Sequence, residues 1–264
     1  MSNFINTADV IGDELLTAQI IDRTITEYKD NIITTLGTWN SYAFAGCTNL
    51  THVSIPLVED FYGSAFSGCT ALESLEAPRL KYIRNGMCDG FASLKSVSFP
   101  NADLTAETNP GTNAFKNCRA LESVSLPKLT QISAYMFINA SSLEQVHIPA
   151  VKKICGYGFY NATALKKISL PSLELFDADW TIFSGTQLEA LILPNSDVVA
   201  QLTNSNTISV TPIGKGNGYI YVPSALLEDY KAATNWSEFA SQFRALEDYT
   251  VDGTITGELD ETKI

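Results

Sequence analysis

The sequence predicts a repeat solenoid of about seven coils, each about 22 residues long and carrying one short parallel strand, with helical caps at both ends. Three observations predict it. A phenylalanine returns at a fixed period, an unbroken leucine column follows it, and a proline closes the same point of every repeat.

The phenylalanine column is Phe44, Phe66, Cys88, Phe115, Phe137, Phe159 and Phe183, at spacings of 22, 22, 27, 22, 22 and 24 residues. Two short insertions account for the longer intervals. Three residues further on stand small side chains, Cys47, Cys69, Cys118, Ala140 and Ala162, with Phe91 where Cys88 has replaced the phenylalanine. Large and small trade places in that coil. Then come Leu50, Leu72, Leu94, Leu121, Leu143, Leu165 and Leu188, followed by Val53, Leu75, Val97, Val124, Val146, Ile168 and Leu191. A third apolar column, from Ile55 through Ala77, Phe99, Leu126, Ile148 and Leu170 to Leu193, alternates with the second across one polar residue, which is strand periodicity.

Each strand ends at a proline: Pro56, Pro78, Pro100, Pro127, Pro149, Pro171 and Pro194. Proline has no amide to donate, so sheet pairing stops at the same place in each coil. Val58, Leu80, Leu129, Val151 and Leu173, then Phe61, Ile83, Ile132, Ile154 and Phe176, bring a second apolar edge back to the core. A unit of this kind cannot bury its apolar face alone, so stability comes from stacking.

At the ends, residues 8–18 read as a short amphipathic helix after Thr7, with Val10, Ile11, Leu15 and Leu16 on its apolar side. Ile33, Leu36 and Trp39 fit a half coil. Ile220, Val222 and Pro223 repeat the end of a strand, Ser224 begins a helix, and Trp236, Phe239, Phe243 and Leu246 form a further helical stripe. The resulting division is a capping segment at 1–30, the solenoid at 31–212, a C-terminal strand and helical cap at 213–248, and a flexible acidic tail at 249–264.

Composition narrows the function classes. The net charge of -12 opposes nucleic acid and anionic membrane surfaces, which recruit clustered Lys and Arg. No apolar stretch has the length of a membrane span, and residues 1–16 show neither a basic nor an apolar region of an export signal. The five cysteines are an odd number without a CxxC pair, and His52 and His147 have no Cys or carboxylate at a zinc spacing. Neither a disulfide framework, a metal site nor a cofactor is expected.

The string A-F-x-x-C-x-x-L-x-x-V-x-x-P-x-(L/V)-x-x-I, intact or nearly so at 43–56, 65–78 and 114–127, resembles the bacterial BspA-like leucine-rich-repeat family. The resemblance covers about residues 31–194, and residues 219–223 with Asn235 and Trp236 are similar to terminal segments of such proteins. It implies a curved, right-handed leucine-rich-repeat solenoid, surface-exposed or secreted, that acts in adhesion and protein binding.

Four places could carry function. The strand positions between the apolar columns expose Ser54, Glu76, Ser98, Ser125, His147 and Ser169 beside His52, Ser74, Ser96, Ser123, Gln145 and Lys167. This face suits docking. His147 among serines lacks the oriented carboxylate and the sharp G-x-S-x-G turn of a nucleophilic site. Glu73, Lys95, Glu122, Glu144, Lys166 and Glu189 form a mixed-charge column; a glycosidase pair would also need an apolar pocket to raise one carboxyl. Tyr135 and Tyr157 stack one coil apart with Tyr160 close by, and aromatic groups of this type are favoured at binding surfaces. The insertions fall within residues 101–113, with Asp103, Glu107 and Pro110, and near residues 177–181, with Trp180. The expected function is a non-catalytic, adhesin-like module for a protein or glycan ligand, with Tyr135, Tyr157, Tyr160, His147, Ser125 and Trp180 as candidate contact residues. The alternatives are a structural part of a phage particle or surface array, and a carbohydrate-active parallel β-helix enzyme.

Overall fold

The computed structural model of the chain describes residues 24–29, 36, 42–104 and 110–249. Its main parallel ladder runs in order through Glu27–Lys29, His52–Ser54, Ser74–Glu76, Ser96–Ser98, Ser123–Ser125 and Gln145–His147. The next strand, Lys167–Ser169, lies beside the last of these and opens a second ladder through Ala190–Ile192, Tyr219–Val222 and Phe243–Ala245. Between the two ladders the coils are joined through Ser141, whose carbonyl accepts from Ala164 N and Thr163 Oγ1, both at 3.0 Å.

In each three-residue strand from Glu27–Lys29 to Ala190–Ile192 the middle side chain points inward, as Val53, Val97, Val124 and Ile168 do at 2–3 % exposure. The register follows the sequence columns, with Val97 opposite Val124 and Val124 opposite Val146. The phenylalanine column is a ring stack. Phe44 and Phe66 lie 4.8 Å apart at 2°, and Phe115, Phe137, Phe159 and Phe183 follow one another at 5.2, 5.3 and 5.7 Å. At the coil of Cys88 the stack is interrupted, and Phe91 meets Phe66 edge-on at 6.3 Å. Such pairs add about 0.5–1.5 kcal/mol to the burial of the rings.

Three findings differ from the sequence reading. The return segment is itself a strand: Tyr82–Ile83 pairs with Asp103–Leu104, and Gln131–Ile132, Lys153–Cys155, Leu175–Asp177 and Gln201–Leu202 form a separate parallel return ladder. Several of these segments are only two residues long, too short for an alternating pattern to register. The main ladder also begins at Glu27, inside the segment assigned to a cap, with Tyr28 opposite Val53.

The third difference is at the C-terminal end. A 3-10 turn at Ser224–Leu226 leads into the helix Leu227–Ala232, and a second 3-10 segment covers Ser237–Gln242. Phe243, however, starts a strand that pairs with Tyr219–Val222 instead of continuing a helical stripe. A sheet that stops leaves a row of unpaired amides and carbonyls, and one more strand satisfies a side of that row. Leu246 lies in a short 3-10 turn, half-buried. The N-terminal helix at 8–18, Ile33, Trp39 and the tail from 250 onward lie outside the described residues.

Candidate functional site

The turn that carries the chain from the return ladder into the phenylalanine stack forms a third set of coil-to-coil bonds. In one coil Tyr135, Phe137 and Asn139 donate their amides to Gly156, Gly158 and Tyr160; in the next, Tyr157, Phe159 and Asn161 donate to Thr181, Ile182 and Ser184. Two positions of this turn adopt left-handed backbone. The one after the ring is always glycine or asparagine: Gly46, Gly68, Gly90, Asn117, Asn139, Asn161 and Gly185, with φ between 59° and 82°. Three of these side chains form a ladder, in which Asn161 Nδ2 donates to Asn139 Oδ1 at 3.1 Å, Asn139 to Asn117 at 3.0 Å, and Asn117 to Asp89 at 3.2 Å. The ladder stops at Gly185, which has no side-chain amide to donate to Asn161.

The position before the ring is Gly86, Asn113, Tyr135 and Tyr157, at φ 60°, 57°, 60° and 61°. Each donates the equivalent backbone bond to the following coil, Gly86 to Thr112 and Asn113 to Ala134. In these four coils the turn takes the left-handed conformation, whereas Ser64 and Thr181, two residues before Phe66 and Phe183, do not; glycine and asparagine are the residues that adopt it cheaply. A residue with a bulky Cβ substituent is strained by about 1–2 kcal/mol there. The two tyrosine rings stack at 5.0 Å and 6°, and Tyr160 meets Tyr157 edge-on at 5.5 Å. One stack at about 0.5–1.5 kcal/mol does not offset the strain of two left-handed tyrosines. Tyr135 is 39 % exposed, so solvent covers what packing does not.

Trp180, 66 % exposed, precedes the residue that accepts the Tyr157 amide, so the two coils place it on the same edge. Three of the six candidate residues, Tyr135, Tyr157 and Tyr160, thus come into ring contact, and Trp180 adjoins them in the chain through Thr181. Ser125 and His147 sit elsewhere, opposite each other on the main ladder. Ser125 is only 8 % exposed, which leaves its hydroxyl little to offer a partner. On the strand leading into the aromatic edge, Lys153 Nζ lies 2.5 Å from Asp177 Oδ2, and that contact holds the ammonium above its ordinary value. Half-buried Cys155 has its thiol pushed up, mainly by burial.

Several of the other sequence candidates join coils. Asp103 Oδ1 accepts from the amide and hydroxyl of Thr130, both at 3.0 Å, and Pro110 accepts from Ser133; Glu107 lies outside the described residues. In the charged column, Lys95 Nζ reaches Glu73 Oε2 at 2.8 Å, and this bond holds the Glu73 carboxyl below its ordinary range. Among the described residues no group of His, Cys, Asp or Glu is placed to hold a metal ion, and no helix is long and apolar enough to cross a membrane. A feature without a sequence signal is Arg84: only 7 % exposed, it grips Asp60 with two nitrogens and stacks 4.0 Å over the Tyr62 ring.

The family model for the BspA type leucine rich repeat region matches in six copies, over residues 27–129 and 104–211. The chain belongs to the BspA-type leucine-rich repeat family. That membership favours the leucine-rich reading of the 22-residue coil over a parallel β-helix, and the matched region begins at the first strand, Glu27–Lys29.

Solved structures similar to this BspA-type chain are bacterial. A leucine-rich repeat protein from Bacteroides ovatus ATCC 8483 is 22 % identical, with a TM-score of 0.45 over 76 % of this chain and 56 % of that one. A leucine rich cell surface protein from Faecalibacterium prausnitzii A2-165 is 20 % identical, with a TM-score of 0.33 over 76 % and 37 %. An internalin from Listeria monocytogenes str. 4b F2365 is 13 % identical, with a TM-score of 0.39 over 91 % and 70 %. The chain thus spans 56 % and 37 % of the first two. No curated protein sequence matches it.

Proposed function

We propose that this BspA-type chain is a non-catalytic, adhesin-like module that binds a protein partner along the edge of Tyr135, Tyr157, Tyr160 and Trp180. The observation that carries the reading is the stacked tyrosine pair in left-handed backbone, at positions where the preceding coils use Gly86 and Asn113. Local strain that packing does not offset points to a role outside the fold. Exposed tyrosine and tryptophan supply wide contact area at small entropic cost, the composition of interface anchors.

A protein fits this edge better than a glycan. Because Tyr135 and Tyr157 face each other at 6°, each ring covers one face of the other, and the pair does not form a coplanar platform on which successive sugars could lie. The nearly buried Ser125 beside His147 speaks against a nucleophilic site on the sheet face.

Selection from a random peptide display library tests the reading. The full chain serves as bait, and the enriched ligands are then titrated against the parent and against a variant carrying Tyr135→Asn and Tyr157→Asn. Enriched ligands should bind the parent at least about tenfold more tightly than the variant, and His147→Ala should leave them unaffected. Ligands that bind parent and tyrosine variant equally would move the contact surface away from this edge.

A further inference from the structure

We infer that the aromatic edge takes arginine side chains from a basic segment of its protein partner, an inference that rests on the edge being the contact surface. The chain's own arginines supply the pattern. Arg84 places its guanidinium carbon 4.0 Å over Tyr62 and 5.5 Å from the half-exposed Tyr82, and Arg244 lies 4.2 Å over the exposed Tyr219. Guanidinium groups are planar and weakly hydrated, so they stack on aromatic faces more readily than ammonium groups do.

Among the described residues no arginine or lysine stacks on Tyr135, Tyr157, Tyr160 or Trp180. Lys153, on the strand leading into the edge, is held by Asp177 at 2.5 Å. The edge is thus aromatic surface that the chain's own cations leave uncovered. Tyr135 and Trp180 are its most exposed members, at 39 % and 66 %, and they lie on coils two apart. At the strand spacing of about 4.8 Å that separation is about 10 Å, the span of three residues of an extended peptide. Exposed Asp179 adjoins Trp180, and a net charge of -12 steers a cationic partner toward the molecule.

The probe is a synthetic glycine- and serine-spaced peptide with arginine at every third residue, titrated calorimetrically into the full chain at about 150 mM salt, where exposed charges beyond about 8 Å are screened. Citrulline and lysine versions of the peptide are titrated in parallel. The arginine peptide should bind, the citrulline peptide should bind at least about tenfold more weakly, and lysine should fall between them. The Tyr135→Asn/Tyr157→Asn variant keeps the net charge and should lose at least about tenfold in affinity with an unchanged or higher Tm. Phenylalanine at both positions keeps the ring faces and should retain binding.

Equal affinity for parent and asparagine variant would reduce the effect to bulk charge and overturn the inference. Equal binding of the citrulline peptide, or no binding of the arginine peptide, would overturn it as well. If the display selection returns ligands that need the tyrosines but carry no arginine, the contact surface stands and the arginine assignment falls.

Discussion

Phe137 stands between Phe115 and Phe159, with ring centroids 5.2 and 5.3 Å away, so its removal opens a void that neither neighbouring coil can close. Phe137→Ala is expected to lower stability by about 3–5 kcal/mol in urea unfolding. A loss below about 1 kcal/mol would mean that the coils relax around the gap. The cysteine column gives a second expectation, in pH. Burial pushes the thiols of Cys69 and Cys118 from 9.0 up to about 12. The unfolded chain releases these protons from about pH 9 upward, whereas the folded chain retains them to about 12. The folded state therefore binds more protons in that window, and stability falls as pH rises through it. Tm measured from pH 8 to 11 should fall less steeply for Cys69→Ala/Cys118→Ala than for the parent. At this scale the sequence was most legible for apolar residues, because each inward column repeats one chemical type. It was least legible for Arg84, whose burial depends on Asp60 and Tyr62 arriving from the preceding coil.

The asparagine ladder links elements that share no strand. Asn139 accepts from Asn161, donates to Asn117, and holds φ at 62°. Two losses can be separated. Asn139→Gly keeps the backbone conformation and removes the amide chain, which is worth about 1 kcal/mol per hydrogen bond. Asn139→Ala adds left-handed strain of about 1–2 kcal/mol. Chemical denaturation should therefore order the parent above glycine and glycine above alanine, and alanine at least as stable as glycine would contradict the assignment. The glycine and asparagine of this column stand at a fixed offset from the phenylalanines, yet the sequence reading drew nothing from them. Only the backbone angles reveal why those two residue types alternate there. The main strands were readable from their apolar alternation and closing prolines. The return strands were not, since two paired residues leave no period to read.

Over the whole molecule, each coil depends on its neighbours, so opening proceeds from an end. The C-terminal end is closed by Trp236, whose Nε1 donates to Ala200 O at 2.6 Å and whose ring lies 5.8 Å from Phe176, Tyr230 and Phe243. Trp236→Ala should cost about 3–5 kcal/mol locally. Amide exchange should then accelerate first in Gln201–Leu202, Tyr219–Val222 and Phe243–Ala245, with Ser123–Ser125 slow to follow. Uniform acceleration along the chain would show a single cooperative unit instead. The aromatic edge belongs to this scale too, because Tyr135, Tyr157 and Trp180 come from three successive turns of the chain. Its tyrosines were legible as a pair in the sequence, but the left-handed backbone that distinguishes them from packing residues was not.

The Tyr135 amide bonds to Gly156 and the Tyr157 amide bonds to Thr181, which makes this edge modular in a literal sense. A tandem duplication of residues 135–156 would return every column to its own kind and lengthen the body by about 4.8 Å. It would also insert a third tyrosine between the existing two. Length and valence are therefore coupled in this molecule: it can grow a longer grip by copying a single unit, without redesigning any part of its interior.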